Sequence, residues 1–133
     1  MHGNTEALAV IQNAWNASAR DWNADALTSI YTHDALFFGG RPGHAVGASA
    51  IRDYFASYVG VIESATLALV EQHVIALTDD CLLAQGFGEF VFVLDGGRES
   101  RSRLRTTLVI ARHAGEWKIC QHHFSASPES PPI

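Results

Sequence analysis

Charge is scarce in this chain. Of 133 residues only 9 are Lys or Arg and 14 are Asp or Glu, for a net charge of −5. A nucleic-acid or anionic-membrane partner asks for a basic face. The single arginine-dense stretch, Arg98 to Arg105, is too short to supply one. Long apolar runs are missing as well, so no segment reaches the roughly 18 residues that a membrane span needs. The opening MHGNTEALAVIQNAW has no basic residue ahead of its apolar part, so a secretory signal is not expected. Cysteine is limited to Cys81 and Cys120. They lack Cys-x-x-Cys spacing, which argues against zinc and dithiol chemistry. Two thiols in apolar, strand-like runs are expected to be buried, in a reducing cytoplasm. Proline is rare until the end, where Pro128, Pro131 and Pro132 mark residues 126–133 as an extended tail.

What is present is ordinary globular material. Apolar residues make up 47% of the chain, and the length suits one domain, residues 1–125, with a core of its own. Asn4 or Thr5 can cap a first helix, whose apolar stripe carries Leu8, Ile11, Trp15 and Trp22. Asp25 can cap a second, short helix bearing Leu27, Ile30 and Tyr31, which His33-Asp34 ends. Ala35–Phe38 reads as a short strand and GGRPGHAVG (39–47) as a turn-rich loop. Ile51, Tyr54, Phe55 and Tyr58 then follow the spacing of a third amphipathic helix. Beyond Gly60 the texture turns to β, with strands at 64–78, 81–95, 101–113 and 116–125 joined by hairpins. Gly86 and Gly88 inside a strand mark a bend or a close approach. Helices first and a long antiparallel meander after give an α+β class, three N-terminal helices on a strongly bent, mostly antiparallel sheet.

Three stretches carry a family resemblance: WNADALTSIYTHDALFF (22–38), GHAVGASAIRDYFASY (43–58) and TTLVIARHAGEWKICQHHFS (106–125). In this order they resemble the NTF2-like superfamily, which includes ketosteroid isomerases, SnoaL-type cyclases and the kinase association domain. The resemblance implies a cone with an apolar pocket between helices and sheet, and a homodimer formed through the outer sheet face. It implies no cofactor. The scaffold hosts unrelated activities, so function has to be argued from the site. The steroid-isomerase residues do not carry over. The base position falls at Phe38 or Gly39, and Trp15 stands where that enzyme has a tyrosine.

Strand parity sorts the QHHFS segment. Strict alternation puts Trp117, Ile119, Gln121, His123 and Ser125 on one face and Lys118, Cys120, His122 and Phe124 on the other. That separates His122 from His123 and removes a two-histidine metal site. The remaining histidines include His2 at a terminus and His33 and His113 at turns, with no compact ligand set, so no metal is expected. The resemblance assigns the pocket to His123 and Gln121 and the outside to His122. An imidazole suits proton transfer near neutral pH. The alternative is a histidine that only closes hydrogen bonds at the sheet's end. On 101–113, Arg101, Arg103 and Arg105 alternate. Arg105 is the candidate anion clamp, unless it merely pairs with Glu89, itself a candidate pocket acid or a rim residue. Tyr31, Tyr54, Tyr58 and Trp15 are candidate lining residues with polar tips, and His44 a rim contact.

The expected ligand is thus a small apolar or anionic organic molecule. Two functions fit. One is a cofactor-free isomerase, cyclase or hydrolase using His123. The other is a non-catalytic binding or association module, because the kinase association domain also ends its closing strand in a His-rich segment.

Overall fold

The computed structural model describes residues 2–133, with side chains from Asn4 onward, so the side chain of His2 lies outside the described residues. The elements are α1 (His2–Ala19), α2 (Ala24–Thr28), β1 (Tyr31–Phe38), β2 (Ala45–Val46), α3 (Ala48–Ala56), β3 (Ile62–Thr78), β4 (Cys81–Leu94), β5 (Glu99–His113) and β6 (Glu116–Ala126). One six-stranded sheet runs in the order β2-β1-β6-β5-β4-β3. All pairings are antiparallel except β1 with β6, which is parallel. The expected α+β architecture and the three final hairpins are present.

The N-terminal third differs from the pattern-based reading in its boundaries. α1 begins before Asn4, and Asn23 rather than Asp25 caps α2 by accepting from the Ala26 N–H. Asp25 instead pairs with Arg52 on α3. α2 stops at Thr28, and Tyr31 opens β1 instead of closing a helix. The cause is tertiary: Tyr31 pairs with Ile119, and the Ile119 N–H donates to the Ile30 carbonyl at 2.9 Å. Local propensity yields when a distant strand supplies the ladder. His33 accordingly lies within β1, exposed.

The helices cover one face of the sheet. β3 is an edge strand, and a free edge invites unwanted pairing. Here α1 occupies it: Asn16 accepts from the Leu67 N–H at 2.7 Å and donates to the Leu67 carbonyl at 3.0 Å. Gln12 accepts from the Leu69 N–H at 2.8 Å. β3 shifts register between Val70 and His73, with Glu71 at a φ of 52°, and so bends there. Gly86 on β4 makes room for that bulge, since a Cβ added to it would sit 2.5 Å from the Glu71 carbonyl oxygen. That is the close approach its place in the strand implies.

A second bulge decides the site. In the β5–β6 pairing Val109 faces Gln121 while Ile110 faces Ile119, leaving Cys120 without a partner. An extra residue turns everything beyond it by half a pleat. Ile119, His122 and Phe124 therefore all point toward the helices and are buried, while His123 is exposed on the opposite face. This corrects the assignment made from strict alternation, in which His123 faced the pocket and His122 the outside. Cys81 and Cys120 are free and half-buried rather than buried.

Candidate functional site

The inner face of the sheet is built from alternate residues of each strand. On β5 these are Ser102, Leu104, Thr106, Leu108 and Ile110, and on β4 Phe90 and Phe92 continue the layer. Against them lie Trp15 of α1, Phe55 and Tyr58 of α3, and Trp22 in the turn before α2. Trp22 has a φ of 48°, an unfavourable conformation for a bulky residue. It is held there by its indole N–H, which donates to the Phe55 carbonyl at 2.9 Å, and by edge contacts with Trp15, Phe55 and Tyr58.

Between these layers a cavity of about 260 Å³ remains. Its walls are aromatic: Trp15 meets Phe90 edge-on at 5.7 Å, Phe90 stacks on Phe92 at 5.5 Å, and Phe90 and Phe124 lie 5.2 Å apart. The polar side chains among the lining residues are Trp15, Trp22, Tyr54, Tyr58 and Ser102, all neutral donors or hydroxyls. Gly40 and Arg41, in the loop after β1, close its rim. The Gly40 N–H donates to the Tyr54 hydroxyl at 2.9 Å, and Arg41 lies 4.1 Å over the Tyr58 ring while donating to Ser57 Oγ at 2.8 Å. Gly39 is required here, because a Cβ would come within 2.5 Å of the Tyr54 hydroxyl. Burial pushes the Tyr54 phenol well above its usual range, with the Gly40 N–H acting the other way. Tyr54 therefore keeps its proton, with its oxygen accepting from Gly40 and its hydroxyl within reach of Tyr58.

Behind Phe124 sits a buried polar pair. The Tyr31 hydroxyl and His122 Nδ1 are 2.8 Å apart, and their rings stack with centroids 6.0 Å apart. Phe37 and Phe124 pack on the imidazole at 5.5 and 5.0 Å. Burial, with a smaller push from His123, lowers the His122 pKa to about 3, and burial raises that of the Tyr31 phenol far above normal. Both are neutral at physiological pH. A neutral imidazole offers one donor and one acceptor. Nδ1 is engaged by Tyr31, and Nε2 has no protein partner, as is also true of Trp15 Nε1.

The structure brings together three of the residues expected from sequence, Trp15, Tyr54 and Tyr58. Tyr31 is close by but sealed in the core. The other five lie elsewhere. Gln121, His123, Arg105 and Glu89 are on the outer face, and His44 stacks on Phe38 at 4.3 Å on that same side. The alternative pairing of Arg105 with Glu89 is not made; Arg103 holds Glu89 at 2.8 Å, because register sets Arg103 opposite Glu89 and Phe87 opposite Arg105. Sequence reasoning missed His122, Trp22, Phe90, Phe92, Ser102 and Phe124. For His122 a signal was available: Phe124 is the apolar member of the final segment, and placing it inward takes His122 with it.

A cone of helices on a curved sheet, with an aromatic cavity at its open end, defines the NTF2-like class. The model of the SnoaL-like domain matches residues 8–129, and the chain belongs to that family. No curated protein sequence matches it. Among solved structures it is similar to a protein from Xanthomonas campestris provisionally assigned as a calcium/calmodulin-dependent protein kinase II association domain. That match has 24% identity over 92% of this chain and 87% of that one, with a TM-score of 0.82. An NTF2-like superfamily protein from Salmonella enterica aligns with 19% identity, 98% and 93% coverage and a TM-score of 0.75. The hexachlorocyclohexane dehydrochlorinase of Novosphingobium barchaimii aligns with 16% identity, 98% and 96% coverage and a TM-score of 0.69. At these identities the likeness is one of fold. No helix among the described residues is long and apolar enough to cross a membrane.

Proposed function

We propose that the chain binds a small, uncharged, largely apolar cyclic molecule in the cavity between helices and sheet. The observation that carries this is the lining, aromatic rings with a few neutral hydrogen-bonding tips and no charged side chain. Such walls favour apolar surface and reject an unpaired charge. The volume of about 260 Å³ falls below the roughly 300–1,000 Å³ of drug-sized sites, which points to one or two rings. Tyr54 is positioned to donate to an oxygen on the ligand, and a donor aimed at a carbonyl or leaving hydroxyl is the electrophilic half of cofactor-free isomerase, cyclase or lyase chemistry. That one protein of this fold is named a dehydrochlorinase of a cyclic substrate agrees with this ligand class. His123 has no part in this site.

Calorimetric titration with cyclohexanone, benzyl alcohol and benzoate tests the reading. The two neutral probes bind saturably. Tyr54→Phe weakens cyclohexanone by about three- to tenfold, and Leu104→Trp, which fills the cavity, abolishes binding of both neutral probes. If neither binds, or if Leu104→Trp binds them like the parent, the cavity is not the site.

A second property has its own support. Leu36, Phe38 and Val46 on the outer face of β1 and β2 are exposed, as are Ile75 and Leu77 at the far end of β3. Apolar rims on a sheet face fit a homodimer formed through that face. Mass in solution tests this, and a monomer at high concentration counts against it.

A further inference from the structure

The outer face carries a second groove, of about 450 Å³, crossing β3 to β6. Strand register builds it in rows. Phe38, His123, Thr107, Gln85 and His73 face one another in turn across five strands. In the adjoining row Ser125, Arg105 and Phe87 are partners. Neighbouring residues of these rows are diagonal neighbours roughly 7–8 Å apart, within reach of one two-oxygen group.

Electrostatics separates the arginines of this face, where Arg101 pairs with Glu99 near the hairpin end. Arg103 is committed: it bonds Glu89 at 2.8 Å, pairs with Glu71 as well, and lies 4.4 Å over the Phe87 ring. Glu71 also lines the groove, but its carboxylate is turned to Arg103. Arg105 has no carboxylate partner among the described residues. Around it are the Ser125 and Thr107 hydroxyls and the His123 imidazole. The Gln85 amide donates to Thr107 Oγ1 at 3.0 Å, which leaves the Thr107 proton free to donate outward.

We infer that this groove is a binding site for a small organic carboxylate, separate from the apolar cavity. Arg105 supplies the planar fork that matches two carboxylate oxygens, and Thr107, Ser125 and His123 supply flanking polar contacts. The site thus gives a role to Arg105 and His123, which the cavity leaves unused. It also divides the two kinds of ligand by charge, neutral molecules within the cone and anions on its outer face. The exposed apolar residues at either edge mean that a second copy seated on this face would roof the groove.

Benzoate and inorganic phosphate, titrated into the full chain and followed by backbone amide NMR and calorimetry, provide the test. Benzoate is expected to shift the amides of Thr107, His123 and Ser125 saturably at millimolar concentration. Arg105→Gln weakens it by about tenfold or more, and Arg105→Lys restores part of the loss. Cyclohexanone binding serves as the control, and Arg105→Gln leaves it unchanged, so failure of the groove and failure of the cavity are told apart. Phosphate binding more weakly than benzoate supports a planar carboxylate site, whereas phosphate binding more tightly overturns the assignment of ligand class. Unchanged benzoate affinity in Arg105→Gln, shifts confined to Tyr54, Ser102 and Phe124, or no binding at all overturns the site itself.

Discussion

The two faces of the sheet are made from neighbouring residues of the same strands, yet they obey different physics. Phe37 is 1% exposed and Phe38 is 41% exposed. His122 is buried, neutral and bonded to Tyr31, while His123, one residue on, faces solvent and lines a groove with Arg105. On the inner face polarity is rationed to uncharged tips, because burial penalises any charge that lacks a partner. On the outer face arginines and carboxylates pair freely in water, where each pair contributes little. Chemistry of this fold therefore depends less on which residues are present than on which way the pleat turns them.

The contrast is open to direct attack, starting where the effect is largest. Phe37→Ala should cost about 3–5 kcal/mol of folding stability, and Phe38→Ala under about 1 kcal/mol. Denaturant midpoints measure both, and equal losses would erase the distinction between faces. Next comes pH. The folded pKa of His122, about 3, lies below its ordinary 6.5, so the unfolded chain takes up that proton first. Its contribution to stability is complete above about pH 6.5 and is lost as pH falls toward 3, at about 1.4 kcal/mol per unit. The His122→Phe chain should lack this component, seen as a shallower fall in stability than the parent over that window, while His123→Phe keeps it. His122→Phe also strands the Tyr31 hydroxyl, at about 1–3 kcal/mol, and adding Tyr31→Phe should recover part of that. Gly86→Ala follows, with about 1–3 kcal/mol expected from forcing a Cβ against the Glu71 carbonyl. The smallest effect is reserved for Arg103→Gln on the outer face, a change too slight to resolve in physiological salt.

Much of the fold was legible because periodicity is a local property. The apolar spacing of Ile51, Tyr54, Phe55 and Tyr58 exposes α3, and the turn residues at 79–80, 95–97 and 114–115 expose the hairpins. Trp15, Tyr54 and Tyr58 reach the cavity wall for the same reason, as aromatic residues with polar tips on helix faces that had to pack. Tyr31 was misplaced because its strand exists only through Ile119, far along the chain. Strict alternation exchanges His122 and His123 because it carries the phase of Ile119 past the unpaired Cys120, and only the apolar Phe124 marks the change of phase beyond it. The alternative of an Arg105–Glu89 pair falls to register, because the neighbouring strand sets Arg103, not Arg105, opposite Glu89.

The Cys120 bulge acts on the closing strand as a frameshift acts on a message. Gain or loss of a single residue there reassigns every later side chain between interior and surface, without altering any of them. Two relatives with the same final residues can on this account present opposite chemistries to the same cavity, and comparing them by residue identity alone would conceal it.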